Sequence, residues 1–263
     1  MTYKAVALFD LDKTLLNSEK QIPEENLAAL EALNANHVLP VIATGRNYYE
    51  LNDWMRIGKI SSAIAANGAD IFYNGTHLFQ SPMGQPQLAR LTAMASAEDV
   101  ALAYYNSNGA ALSRTSPDSD ANYALMHQTP PPIDPAFYQR EAVCMLLVFL
   151  AANDAGDAIA ARYRTAFPEF AFYRNGDHTL DIVNAGQSKA TGLELLMQQP
   201  ELAGLPTYAF GDGNNDIAIL QAATVGVAMG NALPQVAAIA DYQTDDYRRG
   251  GIPKALRHFN LIK

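Results

Sequence analysis

Short apolar runs alternate with amphipathic stretches at the start of the chain. The runs predict buried strands at Ala5–Phe9, Val38–Ala43 and Ala63–Ala66. A helix is predicted at Glu24–Ala35, because its leucines recur on one face and Pro23 has a φ suited to a first helical turn. Alternation of strands and helices indicates βαβ units and a parallel sheet.

The same alternation returns at the end of the chain, after a middle segment of different character. The further elements predicted in these two terminal parts are helices at Tyr48–Met55, Lys189–Gln198, Asn215–Ala222 and Ile252–Phe259, and strands at Thr207–Phe210, Val225–Ala228 and Asp241–Thr244. Asn74-Gly75 lies between two short apolar runs and predicts a hairpin turn, since both residues adopt positive φ readily.

The middle segment predicts helices packed on a largely antiparallel sheet. Its predicted helices are Gln87–Ala97 and Ala155–Ala166, and its predicted strands are Ala101–Tyr105, Ala110–Arg114, Val143–Leu150, Phe170–Tyr173 and Thr179–Val183. No element is predicted in the polar, proline-rich stretch from Pro117 to Pro132. We therefore expect one domain formed by residues 1–82 and 186–263, with residues 83–185 inserted into it as a second domain.

Polar residues cluster where predicted strands end, which is where open α/β sheets place their chemistry. The groups are Asp10 and Asp12, then Thr44, Gly45 and Arg46, and finally Asp212, Asn215 and Asp216, with Lys189 at the start of a predicted helix. Taken singly, each has an ordinary explanation as a cap, a turn residue or a solvated lysine. Their joint occurrence in this order favours a functional site.

This order of motifs resembles the haloacid dehalogenase (HAD) superfamily of phosphatases, and most closely its Cof-like branch of sugar-phosphate phosphatases. Ala66-Asn67-Gly68-Ala69, Leu180-Asp181-Ile182 and the segment 227–232 also fit that branch. The resemblance implies an α/β fold with a Rossmann-like, doubly wound parallel-sheet core and an inserted α/β cap domain. It also implies a Mg²⁺-dependent hydrolase of small phosphorylated metabolites, sugar phosphates in particular, that works through an aspartyl phosphate.

The resemblance also assigns roles to residues. It makes Asp10 the nucleophile and a Mg²⁺ ligand, and Asp12 the general acid and base, with its backbone carbonyl a further ligand. Asp212 supplies another metal carboxylate, and Asp216 supports the metal indirectly. The groups expected to bind the phosphoryl oxygens are Leu11, Thr44, Gly45, Lys189 and Asn215. Arg46 and His178 are candidate substrate contacts, and Lys13 replaces the glycine usual in the family.

The residue types suit this chemistry on physical grounds. A carboxylate, with an ordinary pKa of about 3.9, is already ionised at neutral pH and needs no activating base. Its difficulty is that an anion must approach an anion. Mg²⁺, which prefers oxygen ligands, neutralises the developing charge.

Composition narrows the function further. The chain of 263 residues carries 27 acidic and 18 basic side chains, a net charge of −9, which argues against a nucleic-acid backbone as partner. The chain has a single cysteine, Cys144, which lies in an apolar run, so an intrachain disulfide cannot form. We find no signal peptide and no apolar run of membrane-spanning length, and expect no membrane partner and a cytoplasmic protein.

Two alternatives stay open on the sequence alone, a phosphomutase and a non-enzymatic signalling module phosphorylated on aspartate. The sequence motifs indicate neither the individual substrate nor the oligomeric state. Specificity is expected to depend on inserted-domain positions near Asn108, Arg114, His178 and Asn184.

Overall fold

The computed structural model describes residues 2–174 and 176–263, and they form two compact units. We call the first the core unit; it comprises Met1–Arg46, Glu50–Phe79 and Ser188–Lys263. The second, the inserted unit, comprises Asn47–Tyr49 and Gln80–Gln187.

The core unit is built on an eight-stranded sheet in the order β13-β12-β11-β1-β2-β3-β4-β5. The strands are β1 (Ala5–Phe9), β2 (Val38–Ala43), β3 (Ser62–Ala65), β4 (Asp70–Tyr73), β5 (Thr76–Gln80), β11 (Thr207–Gly211), β12 (Val225–Ala228) and β13 (Tyr242–Gln243). All neighbours from β13 to β3 pair in parallel, and β4 pairs with β3 in the antiparallel direction. Strand β1 lies between β2 and β11, so its end adjoins the point where the strand order reverses, the usual location of a ligand site.

Helices pack against this sheet. They are α1 (Glu24–Ala35), α2 (Asn52–Gly58), α7 (Lys189–Leu196), α8 (Ile217–Ala222), α9 (Pro234–Ala237) and α10 (Gly251–His258). Leu193 and Leu220, from α7 and α8, join the apolar cluster around Val6, Leu8 and Val41. The prediction of an α/β fold on a mostly parallel sheet is confirmed.

The inserted unit has its own five-stranded antiparallel sheet in the order β7-β6-β8-β10-β9. Its strands are β6 (Leu102–Asn106), β7 (Gly109–Leu112), β8 (Met145–Phe149), β9 (Phe170–Tyr173) and β10 (Thr179–Asn184), and its helices are α3 (Gln85–Ala97), α4 (Pro117–Leu125), α5 (Phe137–Arg140) and α6 (Asp154–Ala166). Apolar residues of α3 and α6 pack with Leu146, Val148, Leu180 and Ile182 from one sheet face. Tyr49 belongs to this unit, and its ring stacks on that of Tyr105, with ring centroids 6.1 Å apart.

Several predicted elements have different bounds in the structure. The predicted helix Tyr48–Met55 is a 3₁₀ turn at Tyr48–Leu51 followed by α2. The predicted helix Asn215–Ala222 likewise begins with a 3₁₀ turn, at Asn214–Asp216. Helix α4 was not predicted, because its residues are mostly polar; it is fixed by a capping box between Ser116 and Ser119.

The local predictions for the Asn74-Gly75 turn and for Cys144 are confirmed. The hairpin turn is present, with φ of 48° at Asn74 and 75° at Gly75. Cys144 is a buried free thiol. Within residues 2–174 and 176–263, no helix combines the length and the apolar character that crossing a bilayer requires.

Candidate active site

Asp10, directly after β1, is bonded to a buried lysine. The Lys189 Nζ donates to Asp10 Oδ1 and to Asp216 Oδ1, each at 2.6 Å. The side chain of Lys189 is 0% exposed. Since breaking a buried pair leaves an uncompensated charge at a cost of about 3–5 kcal/mol, this lysine is central to the electrostatics of the site.

The start of α7 is built to deliver Lys189 to this position. Ser188 caps the helix and forms a capping box with Thr191. The turn after β3 packs against this cap at Gly68, where a Cβ would lie 2.0 Å from the Ser188 carbonyl oxygen. Gly68 also has a φ of +90°, so both the space and the backbone require glycine.

Asp216 joins the loop after β11 to Lys189. Its Oδ1 accepts from Lys189, and its Oδ2 accepts the backbone N–H groups of Asp212 at 3.0 Å and Gly213 at 2.9 Å. A Cβ at Gly211 would lie 2.4 Å from the Asp216 Cγ, so glycine is needed for this close approach. Asp216 therefore shapes the loop that carries Asp212.

Three carboxylates of the site could hold a metal ion. Asp10, Asp212 and Asp216 each offer an oxygen, and these atoms lie within 4.8 Å of one another. Burial raises the pKa of Asp10 well above its usual range, Lys189 opposes this, and Asp216 and Asp212 raise it further. Burial and the nearby Asp216 also raise the pKa of Asp212, to about 6. One lysine does not balance three carboxylates, and an oxygen-binding divalent cation fits both the donor set and the excess charge.

Asp12 has a different environment from Asp10, because two cations surround it. Arg46 donates to both carboxylate oxygens, at 2.8 and 2.9 Å, and the Lys20 Nζ donates to Oδ1 at 2.6 Å. Burial alone would raise the pKa of Asp12, but Arg46 and Lys20 outweigh it and hold the pKa well below its usual range. In this arrangement Asp12 is a carboxylate.

The predicted phosphoryl-binding residues border the same strand ends. Thr44 is buried at the end of β2, and its Oγ1 accepts the Arg46 backbone N–H at 3.1 Å, which leaves the hydroxyl proton for another acceptor. The Asn215 Nδ2 donates to Asn67 Oδ1 at 3.1 Å. Asn67 in turn donates its backbone N–H to the Thr44 carbonyl at 3.0 Å, so the two loops are joined.

The structure places nearly all the predicted site residues in the core unit. Those at the ends of β1, β2 and β11 or at the start of α7 are Asp10, Leu11, Asp12, Thr44, Gly45, Arg46, Lys189, Asp212, Asn215 and Asp216. His178 belongs to the inserted unit, where its Nδ1 lies 2.8 Å from Asp118 Oδ1. The predicted substrate contact at His178 stays a prediction.

Several residues of the site escaped the sequence analysis. Thr14 donates its hydroxyl to Asp212 Oδ1 at 3.1 Å, and Asn231 Nδ2 donates to Asp212 Oδ2 at 3.3 Å. The Trp54 indole N–H donates to the Lys20 carbonyl at 2.8 Å, and its ring lies 4.9 Å from the Arg46 Cζ. Thr14 lies four residues after Asp10, and Asn231 lies in the segment 227–232 that fits the family, although neither was assigned a role. Trp54 had no signal, because its contacts join distant segments.

The chain matches a known protein family over most of its length. The family model, described as haloacid dehalogenase-like hydrolase, matches residues 7–256. Among curated relatives, the 5-amino-6-(5-phospho-D-ribitylamino)uracil phosphatase YcsE of Bacillus subtilis is 27% identical over 259 residues, covering 98% of this chain and 96% of that protein.

Solved structures agree with the family match. BT1666 of Bacteroides thetaiotaomicron, described among phosphatases of the HAD superfamily, has a TM-score of 0.88 and 28% identity, covering 99% of this chain and 96% of that one. BT4131, described as a HAD subclass IIB sugar phosphatase, has a TM-score of 0.86 and 26% identity, with coverage of 98% and 100%. The resemblance seen in the motifs is thereby confirmed, and the chain belongs to the haloacid dehalogenase-like hydrolases.

Proposed function

We propose that this hydrolase is a Mg²⁺-dependent phosphatase that cleaves phosphomonoesters of small metabolites, with sugar phosphates as the substrate class. The observation that carries the proposal is the pairing of Asp10 with the buried Lys189, inside a group of carboxylates at the end of a central strand. A carboxylate so placed can attack phosphorus, and the lysine and a metal ion can offset the charge of the phosphoryl group.

Asp10 is the nucleophile in this proposal. Because Lys189 bonds to Oδ1, we assign the attack to Oδ2. The bond from Oδ2 to phosphorus forms as the bond from phosphorus to the alcohol oxygen breaks. Asp12, which takes up a proton from solvent when its contact with Arg46 loosens, gives that proton to the leaving alcohol. Asp12 then takes a proton from water, whose oxygen attacks phosphorus and releases Asp10 and inorganic phosphate.

Phosphoryl binding falls to groups around Asp10. The Thr44 hydroxyl has a proton to donate, since its oxygen already accepts from the Arg46 N–H. The remaining donors that we assign are the backbone N–H groups of Leu11 and Gly45, the Asn215 amide and the Lys189 ammonium.

The metal site suits Mg²⁺ by its donor chemistry. Its ligands would be the carboxylates of Asp10 and Asp212 and the backbone carbonyl of Asp12, with water completing the coordination shell. Asp216 uses its oxygens on Lys189 and on two backbone N–H groups, so we place it behind the ligands rather than among them. When bound, the ion neutralises charge between Asp10 and the phosphoryl oxygens.

The inserted unit is the proposed cap, and residues 83–185 remain its predicted extent. Its sheet and helices form a body with its own apolar core. In this proposal it contributes the substrate contacts, including His178, and excludes bulk water from the reaction.

The test is phosphate release from p-nitrophenyl phosphate and a panel of sugar phosphates, with Mg²⁺ or with EDTA, for the wild type and Asp10→Asn. We expect Mg²⁺-dependent release that the substitution abolishes. The matched control is Asp53→Asn, an exposed carboxylate paired with Arg56, which should leave the rate unchanged.

Each contrary outcome would overturn a particular part of the proposal. Substantial release by Asp10→Asn would overturn the nucleophile assignment. A stable phosphoprotein without release would indicate a signalling module, and phosphate exchange between substrate positions without net release would indicate a phosphomutase.

A further inference from the structure

Asn231 connects three separate loops of the core unit at the carboxylate group. It follows β12, and its Nδ2 donates to the Lys13 carbonyl at 3.0 Å and to Asp212 Oδ2 at 3.3 Å. Its Oδ1 accepts the backbone N–H of Tyr247 at 3.1 Å. One amide group thus satisfies a donor and two acceptors from different parts of the chain.

The orientation of this amide is fixed by its partners. The Tyr247 N–H can only donate, so it must face the oxygen of Asn231. The amide nitrogen is thereby directed towards Asp212 and Lys13, both of which offer acceptors. Exchanging the two amide atoms would place a donor against a donor and an acceptor against two acceptors.

The contact also completes the support of the Asp212 carboxylate. Thr14 donates to Oδ1 at 3.1 Å while Asn231 donates to Oδ2, so one donor holds each oxygen. Both donors are neutral, and the carboxylate therefore keeps its full charge for a cation. A lysine in the place of Asn231 would compete with a metal ion for that charge.

The same amide also reaches the loop that follows Asp10. Lys13, whose carbonyl accepts from Asn231, lies between Asp12 and Thr14 and has a φ of 61°, a left-handed conformation that is unfavourable for a lysine. Its hydrogen bond helps hold this turn. Asn231 therefore connects the two segments, 10–14 and 212, that supply every metal ligand in the proposed function.

We propose that Asn231 is a positioning residue for the metal site: it sets the affinity for Mg²⁺ by fixing Asp212 against the loop 10–14. It acts through its hydrogen bonds to Asp212 and to the Lys13 carbonyl. The inference rests on the proposed function, because it requires that Asp212 and the Asp12 carbonyl bind the metal. Removing an outer partner of a metal ligand typically weakens metal binding by about 10–100-fold.

The experiment measures Mg²⁺ binding directly. The full chain without substrate is titrated with Mg²⁺ by calorimetry and by thermal shift, for the wild type and Asn231→Ala. We expect the Mg²⁺ Kd of the variant to rise about tenfold or more. At saturating Mg²⁺, kcat should return to within about threefold of the wild type, since the reacting groups are intact.

A matched control distinguishes the loss of the Asn231 amide from a disturbance of the loop around Tyr247. Asp246→Ala removes the side chain that accepts the Arg248 N–H, next to Tyr247, without touching Asp212. Its Mg²⁺ Kd should equal that of the wild type. An equal loss in both variants would assign the effect to loop folding and overturn the inference.

Different results would overturn the proposed function and the proposed role of Asn231. If the wild type neither binds Mg²⁺ nor releases phosphate, the proposed function fails. If the wild type does both and Asn231→Ala binds Mg²⁺ within twofold of it, only the role of Asn231 fails. Should Asn231→Ala not fold, as judged by circular dichroism, Asn231→Ser tests the same point, because its shorter side chain cannot span both acceptors.

Discussion

Arg46 binds the Asp12 carboxylate with two parallel hydrogen bonds, from Nε to Oδ2 at 2.8 Å and from Nη2 to Oδ1 at 2.9 Å. This two-point geometry matches the planar guanidinium to the planar carboxylate and is the strongest form of such a pair. Lys20 adds a second cation on Oδ1. Asp12 is thus held in the ionised form, the form that activates water, whereas protonating the leaving alcohol requires a proton on Asp12. For the first half of the reaction, the Arg46 contact must therefore loosen.

Replacing Arg46 should shift the pH dependence of catalysis. Arg46 and Lys20 hold the pKa of Asp12 low, so Arg46→Ala raises that pKa. Because release of the alcohol requires protonated Asp12, the alkaline limb of the profile of kcat/KM against pH then moves to higher pH. Arg56→Ala, which removes an exposed arginine paired with Asp53, is the control and should leave the profile in place. An unmoved profile in Arg46→Ala would show that Asp12 does not govern it.

Trp54 supports both cations that surround Asp12, and its loss should weaken catalysis moderately. Its indole N–H donates to the Lys20 carbonyl at 2.8 Å, and its ring lies 4.9 Å from the Arg46 Cζ. Trp54→Phe keeps an aromatic ring but removes the donor, a loss of about 1 kcal/mol. We expect kcat/KM to fall about fivefold, while Trp54→Leu, which also removes the ring, costs more. Equal rates for the two variants would show that the ring does not support Arg46.

The candidate site residues that lie at strand ends share a local signal. Asp10, Thr44 and Asp212 each directly follow a strand, and a strand end in a parallel sheet has a known position relative to its neighbours. Sequence order alone therefore placed them at one edge of the sheet. Lys189 was marked by its place at a helix start, where Ser188 caps α7.

The residues that escaped prediction have no such signal. The Trp54 donor is 34 residues from its acceptor at Lys20, and the Asn231 donor is 218 residues from Lys13. Their partners are set by how loops pack after the sheet has formed. Helix α4 is a different case, because its capping box at Ser116 and Ser119 and its Pro117 are readable in the sequence, but its polar composition hid them.

Removing the charge of Asp212 should stabilise the metal-free protein. Burial and Asp216 raise the pKa of Asp212 to about 6, above the value of about 3.9 in an unfolded chain. The folded state therefore holds this proton more tightly, and the associated stability is present below pH 4 and is lost as the pH rises through 6. Asp212→Asn avoids that loss and should raise the free energy of unfolding at pH 7.5 by about 1–3 kcal/mol in EDTA.

Thermal unfolding of both proteins at pH 4.5 and pH 7.5 checks this expectation. The gain from Asp212→Asn should be larger at pH 7.5, and Mg²⁺ should stabilise the wild type but not the variant. Asp53→Asn, at an exposed carboxylate, is the control and should show neither effect. A variant that is less stable than the wild type in EDTA at pH 7.5 would contradict the repulsion inferred for this group.

Lys13→Gly should stabilise the protein, because a lysine in the left-handed region is strained. Lys13 has a φ of 61°, where the Cβ of a lysine is crowded and glycine, which has no Cβ, is not. The substitution should therefore stabilise the folded state by about 0.5–1 kcal/mol, after the extra chain entropy of glycine in the unfolded state is subtracted. Lys59→Gly is the matched comparison, since Lys59 also has a left-handed φ, of 51°, and ends α2 in an exposed position. Both variants should gain a similar free energy of unfolding, measured by urea denaturation. If only Lys13→Gly changes kcat or the Mg²⁺ Kd, the lysine charge near Asp212 contributes to catalysis. If Lys13→Gly is less stable than the wild type while Lys59→Gly is not, the Lys13 side chain stabilises its turn, and the strain argument is wrong.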